Sequence, residues 1–143
     1  MIARLVMAAA LGVSAAQIHA TPALADPSAG LYEITARIEL PNVPPVAAPI
    51  RATRCLTAAA LKSGAAFGIQ SRNPLRVCTR SDVKVSRGAA TFHITCPGPN
   101  APSAQARFEV TPNGFKGIIR MNMGGKNMTM TERQTARRIG DCP

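Results

Sequence analysis

The sequence predicts an all-β fold: an antiparallel meander of about seven strands, curled into a barrel or half-open barrel, with one short helix and two disulfides. Three observations predict it. After residue 30 apolar and polar residues alternate with period two. Gly-, Pro- and Asn-rich turn signals recur between these runs. Four cysteines, Cys55, Cys78, Cys96 and Cys142, follow a segment with the marks of an export signal. The chain has 143 residues, 46% apolar and 17% charged, with a formal charge of +10. It is the size of one domain, and too apolar for disorder.

Residues 1–25 read as a signal peptide. Arg4 supplies a short positive start, Leu5 to Ala16 is an uncharged apolar run, and Ala23-Leu24-Ala25 is a small-x-small cleavage site. The run is shorter than the roughly 20 residues of a spanning helix. The expectation is therefore cleavage before Asp26 and a single exported β domain over 26–143, periplasmic or secreted and not membrane-spanning.

In the first strand Tyr32, Ile34, Ala36, Ile38 and Leu40 share one face, and Glu33, Thr35, Arg37 and Glu39 the other. That is the pattern of a half-buried antiparallel strand. The proline-rich stretch 41–49 cannot feed a ladder and is a loop. Ile50 to Leu56 is a second, weaker strand. Thr57 caps a helix-like patch over 58–62, which Gly64 ends; residues 65–76 look irregular. Val77, Thr79, Ser81, Val83 and Val85 alternate against Cys78, Arg80, Asp82 and Lys84. A turn near Gly88 leads into Ala90, Phe92, Ile94 and Cys96, completing a hairpin. Ala104 to Val110 alternates again, Asn113-Gly114 turns, and Phe115 to Met123 follows. Gly124-Gly125 turns into a last strand through Met128 and Met130, whose alternation fades near Glu132.

An even cysteine count in an exported chain implies disulfides. No close-spaced pair suggests a zinc site. The preferred pairing is Cys55–Cys78, clamping the segment between two strands, with Cys96–Cys142 tying down the tail. Cys78–Cys96 is the rival, since those two flank a hairpin.

Several of these features recur as an ordered set: Gly30-Leu31-Tyr32-Glu33, Cys55-Leu56-Thr57 before a short helix, Cys78 and Cys96, the Met-rich run Met121, Met123, Met128 and Met130, and the closing Ile139-Gly140-Asp141-Cys142. The set resembles DUF3617, a family of small exported bacterial proteins of unknown function, whose opening motif usually has Trp where this chain has Tyr32. The resemblance spans about residues 30–143. It implies an exported, disulfide-bonded, β-rich protein and carries no activity with it.

Catalysis finds little support. His93 is the one histidine outside the leader, and it falls on a polar strand face. The carboxylates are mostly on outward positions, so no acid–base pair or triad can be nominated. The expectation is a protein that is not an enzyme and needs no cofactor. The sharpest feature is the methionine set. Met121, Met123, Met128 and Met130 share one sheet face around a tight turn, and Glu132 and Gln134 continue its parity. Together they form a candidate ligand-binding set, an apolar wall with a polar mouth. The plainer reading of the methionines is core packing, while a thioether cluster also suits Cu(I) or Ag(I). Basic residues are spread along the wet faces and would attract an anionic envelope component. Nucleic acid is not expected, because stacking aromatics are missing from those faces. The resulting reading is an exported, non-enzymatic binding or structural module. Its partner would be a small apolar ligand or an anionic envelope component. A soft-metal binder and an unrecognised enzyme are the alternatives.

Overall fold

The computed structural model describes residues 26–45, 47–125 and 128–143; the leader read from residues 1–25 lies outside them. Seven strands form one antiparallel sheet: β1 (Gly30–Glu39), β2 (Ile50–Leu56), β3 (Thr79–Ser86), β4 (Ala89–Thr95), β5 (Ser103–Thr111), β6 (Gly114–Asn122) and β7 (Thr129–Gly140). The lateral order is β2-β1-β7-β6-β5-β4-β3. Strands β3 to β7 are an uninterrupted meander. The β1–β2 hairpin joins it on the far side, through β1 against β7. The edges β2 and β3 are not bonded to each other, so the sheet is a half-open barrel with a seam between them. Among the described residues no helix is long and apolar enough to cross a membrane.

The turns follow their residues. Arg87-Gly88 joins Ser86 to Ala89, with Gly88 at φ +78°. Pro112-Asn113 joins Thr111 to Gly114. The inner face of β5 is Ala104, Ala106, Phe108 and Val110, all buried, as strict alternation requires. Strand β7 remains regular far beyond Glu132, because β1 and β6 bond it on both sides.

Helix α1 (Ala58–Ser63) is capped as its sequence dictates: Thr57 Oγ1 accepts from Ala60 N at 3.1 Å, and Gly64 is left-handed at φ +82°. The stretch beyond it is less irregular than its composition suggests. Pro74–Val77 forms a 3₁₀ turn, η1, started by Asn73, whose side chain accepts from Leu75 N. Strand β3 therefore begins at Thr79, and Val77 is 92% exposed.

This connector between the two edge strands fills the concave face. Leu61, Phe67, Ile69 and Leu75 join Tyr32, Phe92, Phe108, Phe115 and Ile119 in one core cluster. The Phe67 ring lies 5.2 Å from that of Phe108 and 5.0 Å from that of Phe115, within the range of favourable aromatic pairs. Phe108 also covers Gly117, its partner across the ladder, where a Cβ would collide with the ring.

The disulfides are Cys55–Cys142 and Cys78–Cys96, with Cα separations of 5.4 and 4.8 Å. This corrects the preferred pairing and upholds the hairpin pair that rivalled it. The cause is the strand order. Cys78 and Cys96 extend the register Thr79↔Thr95 by one step. Leu31 pairs with Cys55 on one side and Gly140 on the other, so the chain beyond β7 returns to β2 across β1. Cys55 and Cys78 instead stand on opposite lips of the seam.

Candidate functional site

A bulge in β3 decides what the seam presents. The ladder with β4 slips between Ser81 and Lys84, and Asp82 takes φ +52°. Ser81 and Asp82 both end on the outer side, where Asp82 meets His93. Val83 returns inward against the position of Gly64. On the near side of the bulge Arg80 lies opposite buried Ile94, which makes its face the inner one. Alternation counted from Val85 without the bulge assigns Arg80 to the wet face; one extra residue reverses that.

Arg54 on the other edge strand lies opposite buried Tyr32 and is likewise on the inner face. Each lip of the seam thus carries an inward-facing arginine. Between them is a cavity of about 570 Å³. Leu56, Ile69, Leu75 and Ile94 form a narrow apolar floor, each nearly fully buried, beneath a mostly polar lining whose basic residues are Arg54, Arg76 and Arg80. No carboxylate among the described residues lines it. Among the described residues the ion pairs join Glu33, Glu39, Asp82, Glu109 and Asp141 to other bases. Arg80 is the best positioned of the three. Its guanidinium carbon is 4.7 Å from the Phe92 ring centroid and its Nη1 donates to Gly64 O at 3.1 Å. Partial burial of its guanidinium pulls its pKa below the ordinary arginine value, although the residue as a whole is exposed. Gly68 leaves room for it, since a Cβ there would meet Nη2.

The residues singled out in the sequence are divided by the fold. Met121, Met123 and Met130 come together, with Met121 only 2% exposed. Their sulfurs lie 3.2, 3.8 and 3.5 Å from Asn73 Nδ2. Met128 does not join them. It is 62% exposed, beyond the end of the β6–β7 ladder, where Met123 N bonds its carbonyl. Glu132 and Gln134 do point inward and are 0% and 1% exposed, but they do not frame an open mouth. Glu132 accepts from Gln70 N at 2.7 Å, Ser71 N at 3.1 Å, the Ser71 hydroxyl and Gln134 Nε2. Gln134 Nε2 also donates to Gly68 O, while its Oε1 has no partner among the described residues. The two residues anchor the connector to the sheet. The apolar face read as a ligand wall is covered by that connector.

His93 is exposed, with Nδ1 3.1 Å from Asp82 Oδ2. Ser81 donates to the same carboxylate oxygen at 3.4 Å. A triad needs the histidine between acid and nucleophile. Here the carboxylate stands between the two, and no hydrogen bond joins His93 to Ser81. Among the described residues no three His, Cys, Asp or Glu side chains gather as a metal site. Sequence reasoning missed Asn73 and the inward arginines. Asn73-Pro74 carried a capping signal, whereas the bulge at Asp82 left no mark in the residue pattern.

No curated protein and no solved structure matches the chain. A family model described as "Protein of unknown function (DUF3617)" matches residues 27–142. That span takes in all seven strands, both disulfides and the seam, and by it the chain belongs to the DUF3617 family.

Proposed function

We propose that the protein is an exported, non-enzymatic binding module. Its seam takes an anionic amphiphile, a carboxylate or phosphate head carrying a short apolar chain. The observation that carries this reading is the pair of inward arginines, Arg54 and Arg80, on the two lips of one cavity with a narrow apolar floor and, among the described residues, no acid. A cavity of about 570 Å³ falls among small-molecule sites of about 300–1,000 Å³. An inward charge on an edge strand also discourages edge-to-edge association. That role asks nothing of Arg76, which completes the basic lining from η1. Two disulfides favour an oxidising compartment such as the periplasm, where anionic envelope components are at hand.

The test is titration of the folded protein with dodecanoate, dodecyl phosphate and dodecanol, followed by native mass spectrometry. Binding of one anionic chain, weakened in Arg54→Ala and Arg76→Ala, supports the reading. Equal binding of dodecanol, or anion binding unchanged in both variants, overturns it.

A further inference from the structure

The methionine cluster is separate from the seam cavity and calls for its own explanation. Three thioether sulfurs converge on one nitrogen. Met121 Sδ is 3.2 Å from Asn73 Nδ2, Met130 Sδ 3.5 Å and Met123 Sδ 3.8 Å. Cores use methionine as an adaptable filler whose sulfur faces apolar neighbours or ring edges. Here all three sulfurs face one polar atom. A thioether is a weak acceptor, so the Asn73 amide, with two hydrogens for three sulfurs, is poorly held on that side. Its other end is fixed by Oδ1 accepting from Leu75 N at 2.9 Å.

We propose that Met121, Met123 and Met130 form a binding site for a soft monovalent cation, Cu(I) or Ag(I), with the Asn73 amide as its resident stopper. Three neutral thioethers select soft, low-charge ions. Met121 on β6 lies directly opposite Met130 on β7, and Met123 stands one residue past the end of β6. Unbranched side chains let the sulfurs close inward around an ion. Access is open, since Met123, Met130 and Asn73 are each only half-buried. The ion enters and leaves in the same oxidation state, and the displaced amide turns to water. Met128, though next to the set in sequence, contributes nothing.

The experiment is titration of the disulfide-bonded protein with Ag(I), read by native mass spectrometry and by the methyl resonances of the methionines. The expected result is one ion per chain. The signals of Met121, Met123 and Met130 move together and that of Met128 stays. Met128→Leu binds as wild type, and Met123→Leu binds about tenfold or more weakly. The Met123→Leu/Met130→Leu double variant loses the site. Equal binding by wild type and the double variant overturns the proposal, as does movement of the Met128 signal alone or the absence of a bound ion. The methyl readout needs no variant, so a misfolded substitution does not leave the question open. Seam ligands are not involved, so failure here leaves the amphiphile reading standing.

Discussion

Glu132 on β7 accepts both the backbone N–H and the hydroxyl of Ser71, 61 positions earlier in the chain. Two more donors, Gln70 N and Gln134 Nε2, complete its shell. A fully enclosed carboxylate thus pins the connector into the concave face. Glu132→Ala leaves several buried donors without a partner, each costing about 1–3 kcal/mol. The expected loss is about 3 kcal/mol or more, checked by urea unfolding. Glu132→Gln is also damaging, because its amide brings a donor to face Ser71 or Gln70.

Removing the disulfides separately is expected to give unequal losses. Loop-closure entropy assigns about 3 kcal/mol to the Cys78–Cys96 loop and about 4.5 kcal/mol to the Cys55–Cys142 loop, whose separations are 18 and 87 residues. Paired Cys→Ser variants followed in denaturant check the ranking. Peptide mapping without reduction checks the connectivity: a fragment joining Cys55 to Cys78 contradicts it.

Gly117→Val drives a side chain into the Phe108 ring. Phe108 contacts the rings of Phe67, Phe92 and Phe115, so the displacement spreads through the core. Overpacking of this kind costs about 1–3 kcal/mol. Thermal unfolding is the measurement, and an unchanged midpoint would show that the ring yields freely.

Acid should weaken the contact between β1 and β7. Hydrogen bonds from Arg133 at 2.9 and 3.0 Å hold the Glu39 carboxyl below its ordinary pKa. A folded-state value below the unfolded one gives stability that is complete above the unfolded value and is lost as pH falls through the folded value. The pair is exposed, so the amount is less than about 1 kcal/mol. Asp82, lowered chiefly by its hydrogen bond with His93, changes in the same direction. Glu39→Gln should flatten the stability profile below about pH 4.5, read from urea midpoints.

Most of the sheet was legible in the residues because one face of each strand is buried, so alternation survives in sequence. The inner face of β1, the turns at Gly88 and Asn113-Gly114 and the caps of α1 all follow from local chemistry. What stayed hidden is non-local. The pairing of β1 with β7 fixes the disulfides, yet no residue on β1 announces its partner. Glu132 reads as the polar end of a fading strand, because its four partners are set by the fold. The bulge at Asp82 turned Arg80 inward, and Arg54 lies on a strand too weakly patterned to show its inner face. The candidate seam was therefore not visible, while three of the four methionines were.

The placement of β1 beside β7 also sets an order of events. Glu39 meets Arg133 across 94 positions, and Ala29 accepts from Arg138 across 109. As the chain is synthesised, the first hairpin waits with one side unpaired until nearly everything else has emerged. Closure between such distant partners is slow, and an unpaired strand invites association with other chains in the interval. The later strands need only their immediate neighbours. The Cys78–Cys96 bond can thus form early, within its own hairpin. The Cys55–Cys142 bond must come last, sealing a sheet already assembled rather than guiding its assembly.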